Sequence, residues 1–254
     1  METCLPVSGL VLAAGRGTRM RTDLPKALVS LGGRPMVLRL LDTLAQAGIQ
    51  DLTVVVGYAA DLVRGALPYG VGAVAQADLG GTAQAVSLTG PVLRSRVAPP
   101  SQIVVTTGDT PLLRPESVRR LVETHLASQA ACTFLCAVFD EPVPHPRVVR
   151  NRARRVTGFV EDTDAPTRQR RRRERLTSHF AFEAEALWSV VDRVPARGPA
   201  GERTLNDAVG LLLAAGQRVE SVRVDDPREL VGVNTPEDLA WAEGILAERE
   251  PSGT

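Results

Sequence analysis

Short apolar runs of strand length alternate along this chain with segments whose apolar residues recur at spacings of three and four. That alternation narrows the fold more than any other feature, because it is the pattern of a mostly parallel sheet covered by helices. Strands are expected over Val7 to Ala13, Leu52 to Val56, Val71 to Gln76, Ile103 to Thr107, Cys132 to Phe139 and Val219 to Val224. Between them, PMVLRLLDTLAQAG and YAADLVRGAL have helical period and end near Gly or Pro. PESVRRLVETHLAS and TPEDLAWAEGILAERE open with Pro and acidic residues, the signature of a helix start.

The alternation breaks between Asp140 and Phe182. A Pro-rich stretch is followed by RVVRNRARRVTGFVE, which reads as a hairpin, and then by a highly charged segment. We therefore expect an α/β chain of one domain over residues 1–249, carrying an inserted lobe at about 140–204 and a loose tail at 250–254. With 254 residues, 44% of them hydrophobic, a sizeable core is available. A formal charge of +1 gives no global reason to expect a nucleic-acid or membrane partner.

No apolar run approaches the roughly 18 residues of a membrane span, and the N-terminus lacks a basic leader region, so a cytoplasmic setting is expected. The three cysteines show no metal-ligand spacing. Cys132 and Cys136, four residues apart on one strand, are separated by about 13 Å and cannot pair. Buried thiols in a reducing compartment are the expectation.

LVLAAGRGTRM, Leu10 to Met20, sets two glycines and two arginines behind an apolar run. A glycine loop after a buried strand suits an anion, because backbone N–H groups and the missing Cβ let the chain wrap a phosphate. A dinucleotide fingerprint needs a third glycine where Met20 stands, and a P-loop ends in Gly-Lys-Ser/Thr; neither is present. Arg16, Arg19, Arg21 and Lys26 place four cations within eleven residues, which fits a polyphosphate better than one phosphate. Alone, the loop is equally readable as a surface turn with solvated arginines.

GDTPLL puts Asp109 at the C-terminal end of a strand, where ligands of open α/β sheets gather. A carboxylate there is a natural Mg²⁺ ligand, since hard cations take one or two protein oxygens plus phosphate oxygens, or it caps the turn before Pro111. In QADLGGTAQAV, Gln76 and the Gly80-Gly81-Thr82 turn can face a base edge, or Thr82 can cap a helix. In GVNTPEDL, Asn234 is a second metal ligand or an N-cap. His125, on an expected helix, is a surface or packing residue.

Taken in order, LAAGRGTRM, LPKAL, QADLGGTAQAV, GDTPLL, VTGFVE, GERTLND and GVN resemble the sugar-phosphate nucleotidyltransferase family. The resemblance is strongest to the N-terminal uridylyltransferase half of the bifunctional enzymes that form UDP-N-acetylglucosamine, and it covers nearly the whole chain. It implies a Rossmann-like three-layer sandwich, mostly parallel, with a smaller sugar-binding lobe: the nucleotide-diphospho-sugar transferase fold. The implied reaction joins an NTP, with UTP favoured, to a sugar 1-phosphate, giving an NDP-sugar and pyrophosphate. By matching position, the resemblance gives Leu12, Ala13, Ala14, Gly15, Gly17 and Thr18 to the nucleotide, together with Gln76, Gly81, Thr82 and Gly108. It makes Arg19 and Lys26 the catalytic phosphate-gripping residues, Asp109 and Asn234 the Mg²⁺ ligands, and Arg147 and Glu161 the sugar-side residues.

Departures from the family pattern cluster on that sugar side. A glycine-tyrosine-glycine becomes Pro144-His145-Pro146 before Arg147, an Asn-Thr-Gly becomes Leu176-Thr177-Ser178, and a tyrosine pair becomes Arg203-Thr204. We expect an acceptor other than plain N-acetylglucosamine 1-phosphate: a modified hexose, a cyclitol or a related phosphate. The chain stops about where the family's β-helix acetyltransferase half begins, so no acetyl transfer is expected. RQRRRRER, Arg168 to Arg175, reads as a solvated face, an aid to an anionic acceptor, or a contact for a macromolecule. Two other readings stay open: a cytidylyl- or guanylyltransferase for another phosphate or phosphonate, and a nucleotide-sugar-binding regulator without turnover. A homo-oligomer is compatible with the sequence.

Overall fold

In the computed structural model, which describes residues 7–140, 143, 145–161 and 173–249, the apolar run Val7–Ala13 forms β1, an inner strand of the main sheet. Its neighbours are Asp51–Val56 (β4) on one side and Gln102–Thr107 (β6) on the other, both parallel to it. Gly72–Ala75 (β5) pairs in parallel with β4 at one edge. On the far side, Cys132–Val138 (β7) and Val219–Arg223 (β11) pair in parallel at the other edge. The six strands read from the periodicity therefore all lie in one sheet, with ends shifted by a residue or so.

The periodicity does not reveal Glu174–Glu183 (β10), which enters antiparallel between β6 and β7. It carries Thr177 and His179 where an apolar alternation would be expected, and both are buried. Each has a fixed partner: Thr177 Oγ1 donates to Leu135 O at 2.9 Å, and His179 Nδ1 lies 2.7 Å from Thr106 Oγ1. The expected hairpin is present as Arg147–Arg150 (β8) and Val156–Val160 (β9), and it hangs from β10. Pro144 and Arg168 to Arg172 lie outside the described residues.

Helices cover both faces. Met36–Gln46 (α1) and Pro115–Ser128 (α5) bury Leu40, Leu44, Leu121 and Val122 against Val11, Val54 and Val104. On the opposite face, Thr82–Ser87 (α3), Ala184–Val190 (α6) and Leu205–Ala214 (α7) bury Val86, Leu187 and Val209 against Phe134, Phe180 and Phe182. The result is the expected three-layer α/β sandwich. A smaller cluster packs the C-terminal helix Pro236–Arg249 (α8) through Ala242 and Ile245 onto Met20, Leu112 and Val233. Each of those three residues is a near neighbour of a candidate site residue.

Cys132 and Cys136 are free and buried, and burial pushes both thiols up, Cys136 to about 12. His125 is a packing residue, 3.0 Å from Thr133 Oγ1 and 2.8 Å from Gln102 Oε1. No helix among the described residues is long and apolar enough to cross a membrane.

Candidate functional site

The site is assembled at the C-terminal ends of β1, β5 and β6, where the strands hand over to loops. After β1, Gly17 adopts a left-handed conformation, with φ at 70°, and the short turn Thr18–Met20 follows. Met20 occupies the position that excludes a dinucleotide fingerprint, and its side chain is buried in the cluster beneath α8. The loop is thereby pinned to Leu112 and Val233, which flank Asp109 and Asn234 in sequence. One apolar anchor fixes the distance between the loop's cations and the two candidate metal ligands.

Lys26 lies at the centre of that arrangement. Its Nζ donates to Asp109 Oδ2 at 2.6 Å and to Asn234 Oδ1 at 2.6 Å. Arg19 Nη2 donates to the same Asn234 Oδ1 at 3.0 Å. Burial acts to raise the Asp109 carboxyl, but the adjoining Lys26 ammonium, together with hydrogen bonds from Thr107 and the backbone, holds the group below its ordinary value. The backbone secures both partners: Val233 N donates to Asp109 O at 2.8 Å.

Asn234 is not the cap of α8. That position belongs to Thr235, whose Oγ1 accepts from Asp238 N at 3.1 Å while Asp238 Oδ2 accepts from Thr235 N at 3.0 Å, a reciprocal capping box. The Asn234 amide nitrogen donates to Gly232 O at 3.0 Å, which turns Oδ1 toward Lys26. Arg16 and Arg21 do not join the centre. Arg16 lies over the Tyr58 ring at 4.9 Å, and Arg21 faces Glu237 at 3.9 Å with both side chains exposed. Two of the four loop cations converge rather than all four.

A cavity of about 360 Å³ opens beside this centre. Leu12, Ala13, Ala14 and Gly15 line one side, Gln76, Gly81 and Thr82 the other, and Gly108, Asp109 and Lys26 its end. Gln76 is buried and donates to Gln84 Oε1 at 2.7 Å and to Gly81 O at 3.2 Å. Gly81 has φ at +94°, and a Cβ there would run into the Arg203 backbone. Ala83 N donates to Arg203 O at 2.9 Å, Arg203 N to Gly80 O at 2.8 Å and Leu205 N to Thr82 Oγ1 at 2.8 Å. Thr82 thus ties the turn to the start of α7, and the N-cap of α3 is Gly81.

A second cavity, about 410 Å³, shares Thr107 and Asp109 with the first. Arg19 and Asn234 line it on one side, His145, Ser178 and Phe139 on another. Burial lowers the pKa of His145 despite the nearby Asp109 charge, so its imidazole is neutral. Gly17 and Thr18 line neither cavity: Gly17 supports Lys26, and Thr18 opens the turn. Glu161 lines a separate groove with Arg197 and Asp207, which meets the first cavity at Thr204, and Arg147 is buried on β8. Sequence reasoning did not single out His145, Ser178 or Thr204 as lining residues, although each lies in a stretch noted for departing from the family pattern. The hidden strand β10 is what carries Ser178 to the cavity.

The chain matches the family model described as MobA-like NTP transferase domain over residues 9–179. It is 37% identical over 247 residues to the bifunctional protein GlmU of Brevibacillus brevis, a match covering 97% of this chain and 53% of that protein. Against GlmU of Thermobifida fusca it is 37% identical over 254 residues, covering 98% and 52%. The chain therefore spans about half the length of the curated relatives it matches. A solved structure from Bacillus anthracis, described as a glucose-1-phosphate thymidylyltransferase in complex with sucrose, superposes with a TM-score of 0.71 at 20% identity, covering 94% of each chain. At that identity the likeness establishes the fold.

Proposed function

Because the chain belongs to the family of MobA-like NTP transferase domains, we propose that it transfers a nucleotidyl group from an NTP, with UTP favoured, to a sugar 1-phosphate or sugar-like phosphate. The observation that carries this reading is the Lys26 ammonium, bridging Asp109 and Asn234 where the two cavities meet. The nucleotide takes the first cavity, its base beside Gln76 and the Gly81-Thr82 turn and its phosphates along the Ala14 to Arg19 loop. The acceptor approaches Asp109 from the other side.

A sugar phosphate is already ionised near neutral pH, so its oxygen attacks the α-phosphorus without a general base. The bond between the α-phosphorus and the bridging oxygen breaks, and pyrophosphate departs with the electron pair. Catalysis then rests on alignment and charge neutralisation. Arg19 and Lys26 offset the negative charge of the phosphates and of the leaving pyrophosphate. The neutral His145 contributes polarity to the acceptor side without being needed as a proton acceptor.

The donor set suits Mg²⁺. Asp109 Oδ2 and Asn234 Oδ1 are hard oxygen donors that already converge on one cation, the Lys26 ammonium. No group of three or more His, Cys, Asp or Glu able to hold a metal occurs among the described residues, so Mg²⁺ held by these two would complete its shell with phosphate oxygens and water. Bound there, the ion would supply charge neutralisation between the acceptor and the α-phosphate.

The departures at Pro144 to Pro146, at Leu176 and Ser178, and at Arg203 to Thr204 support an acceptor other than N-acetylglucosamine 1-phosphate. Incubating the protein with Mg²⁺, each NTP and a panel of sugar 1-phosphates, with pyrophosphate release as the readout, tests the reading. Release with one NTP and one acceptor is expected. Nucleotide binding by calorimetry with no release across the panel would favour a binding regulator.

A further inference from the structure

Of the 30 lysine and arginine side chains in the sequence, Lys26 is the only lysine. The chain meets every other demand for a cation with arginine, so this position selects for what lysine alone provides. An ammonium is a compact point charge, whereas guanidinium is a broad planar fork matched to bidentate partners. Here the ammonium sits 2.6 Å from each of two oxygens carried by separate loops, in the manner of a small metal ion. The surroundings fit that role: Asn234 Oδ1 is aimed inward by the bond from its amide nitrogen to Gly232 O. Glycine at 232 leaves room, since a Cβ would stand 3.3 Å from Asn234 Nδ2 and 3.4 Å from Asp109 Oδ2.

Resting on the function proposed above, we infer that Lys26 is an internal cation that competes with divalent metal for Asp109 and Asn234, and yields to it when a polyphosphate draws the ammonium away. The ammonium then has two stations: between the two metal ligands in the nucleotide-free protein, and on the phosphates once nucleotide is bound. Two consequences follow from the charges. Metal binding to the nucleotide-free protein is weakened by the need to displace Lys26, and nucleotide and metal binding support one another because one phosphate contact removes the competitor. The exchange also keeps Asp109 neutralised at each stage, which a half-buried carboxylate requires.

The test is Mn²⁺ binding to nucleotide-free protein, read by electron paramagnetic resonance of the free ion. Lys26→Met should bind Mn²⁺ at least about tenfold more tightly than wild type, because it removes a competing ion pair of that order. Arg16→Met takes the same charge from the same loop without touching Asp109 or Asn234, and should change affinity by no more than about twofold, the scale of an exposed, screened charge. Unchanged or weaker Mn²⁺ binding by Lys26→Met, or an equal gain in Arg16→Met, overturns the exchange.

Should Lys26→Met fail to fold, the wild-type protein answers the question alone. Labelling with ¹³C,¹⁵N-lysine marks a single side chain, and that signal should move during a Mg²⁺ titration. A signal unmoved at saturating Mg²⁺ overturns the inference. These readouts are separate from turnover: pyrophosphate release with unchanged Mn²⁺ affinity defeats the exchange alone, while absence of release across the panel defeats the reading beneath it.

Discussion

Gly17 and Lys26 are packed so closely that a Cβ on residue 17 would stand 2.5 Å from Lys26 Cβ. With φ at +70°, Gly17 also holds a left-handed conformation that L side chains rarely adopt. The glycine therefore sets where the lysine arm begins. Gly17→Ala should cost roughly 1–2 kcal/mol in strain. It should lower turnover by more than about tenfold, because it displaces the ammonium from its aligned position. Thermal unfolding and pyrophosphate-release kinetics on one preparation check both halves, and full turnover in a folded variant would show that the loop does not position Lys26.

Gly15 makes the opposite case. A Cβ there would meet nothing within 4 Å, and its backbone is not left-handed. Gly15→Ala should leave the melting temperature within a degree or so, in line with the small effects of unstrained surface changes. If phosphates pass close to this backbone, as the proposed nucleotide site requires, the same methyl should weaken NTP binding by about tenfold, the scale of one lost charge-assisted hydrogen bond. Calorimetric titration with UTP reads the difference. Wild-type affinity in the variant would move the phosphates away from Gly15.

The sequence disclosed the elements with strong local period. Pro115–Ser128 forms with the bounds its Pro-Glu start and apolar spacing give, and the first strand likewise matches its apolar run. β10 stayed hidden because its interior positions carry Thr177 and His179, whose burial is supported by partners on β7 and β6 that no local pattern announces. In the site, spacing placed Asp109 at a strand end but left Asn234 divided between ligand and cap. The cap reading is removed by Thr235 and Asp238, one and four residues further on, which form the cap themselves. That Met20 fastens the loop through Leu112 and Val233 is a long-range packing fact, invisible to motif spacing.

Asp109→Asn keeps the shape of the side chain and removes its charge. The protein should remain folded, because the backbone bond from Val233 N to Asp109 O does not depend on the carboxylate. Turnover should fall by about 10²-fold or more, the usual loss on removing a preorganised charge from a phosphoryl-transfer site. Asn234→Ala should show a smaller loss in the same direction. Circular dichroism alongside the pyrophosphate assay separates folding from chemistry, and undiminished turnover in folded Asp109→Asn would remove the residue from the mechanism.

His179 gives the fold an acid-sensitive point. The residue is 1% exposed, and burial lowers its pKa from 6.5 to about 3. In the unfolded chain the same imidazole takes up a proton near pH 6.5, so acid favours the unfolded state. The stability contributed by keeping His179 neutral is complete above pH 6.5 and is lost progressively as pH falls from there toward 3. Each pH unit within that window should cost about 1.4 kcal/mol from this group. His125 and His145 are lowered by burial in the same sense and add to the slope. Urea unfolding between pH 6.5 and 4 should therefore show a shallower loss for His179→Gln than for wild type, by close to one proton's worth of slope. Glutamine retains a polar partner for Thr106 Oγ1, so the slope rather than the absolute stability is the diagnostic, and parallel curves for the two proteins would assign the acid sensitivity to other groups.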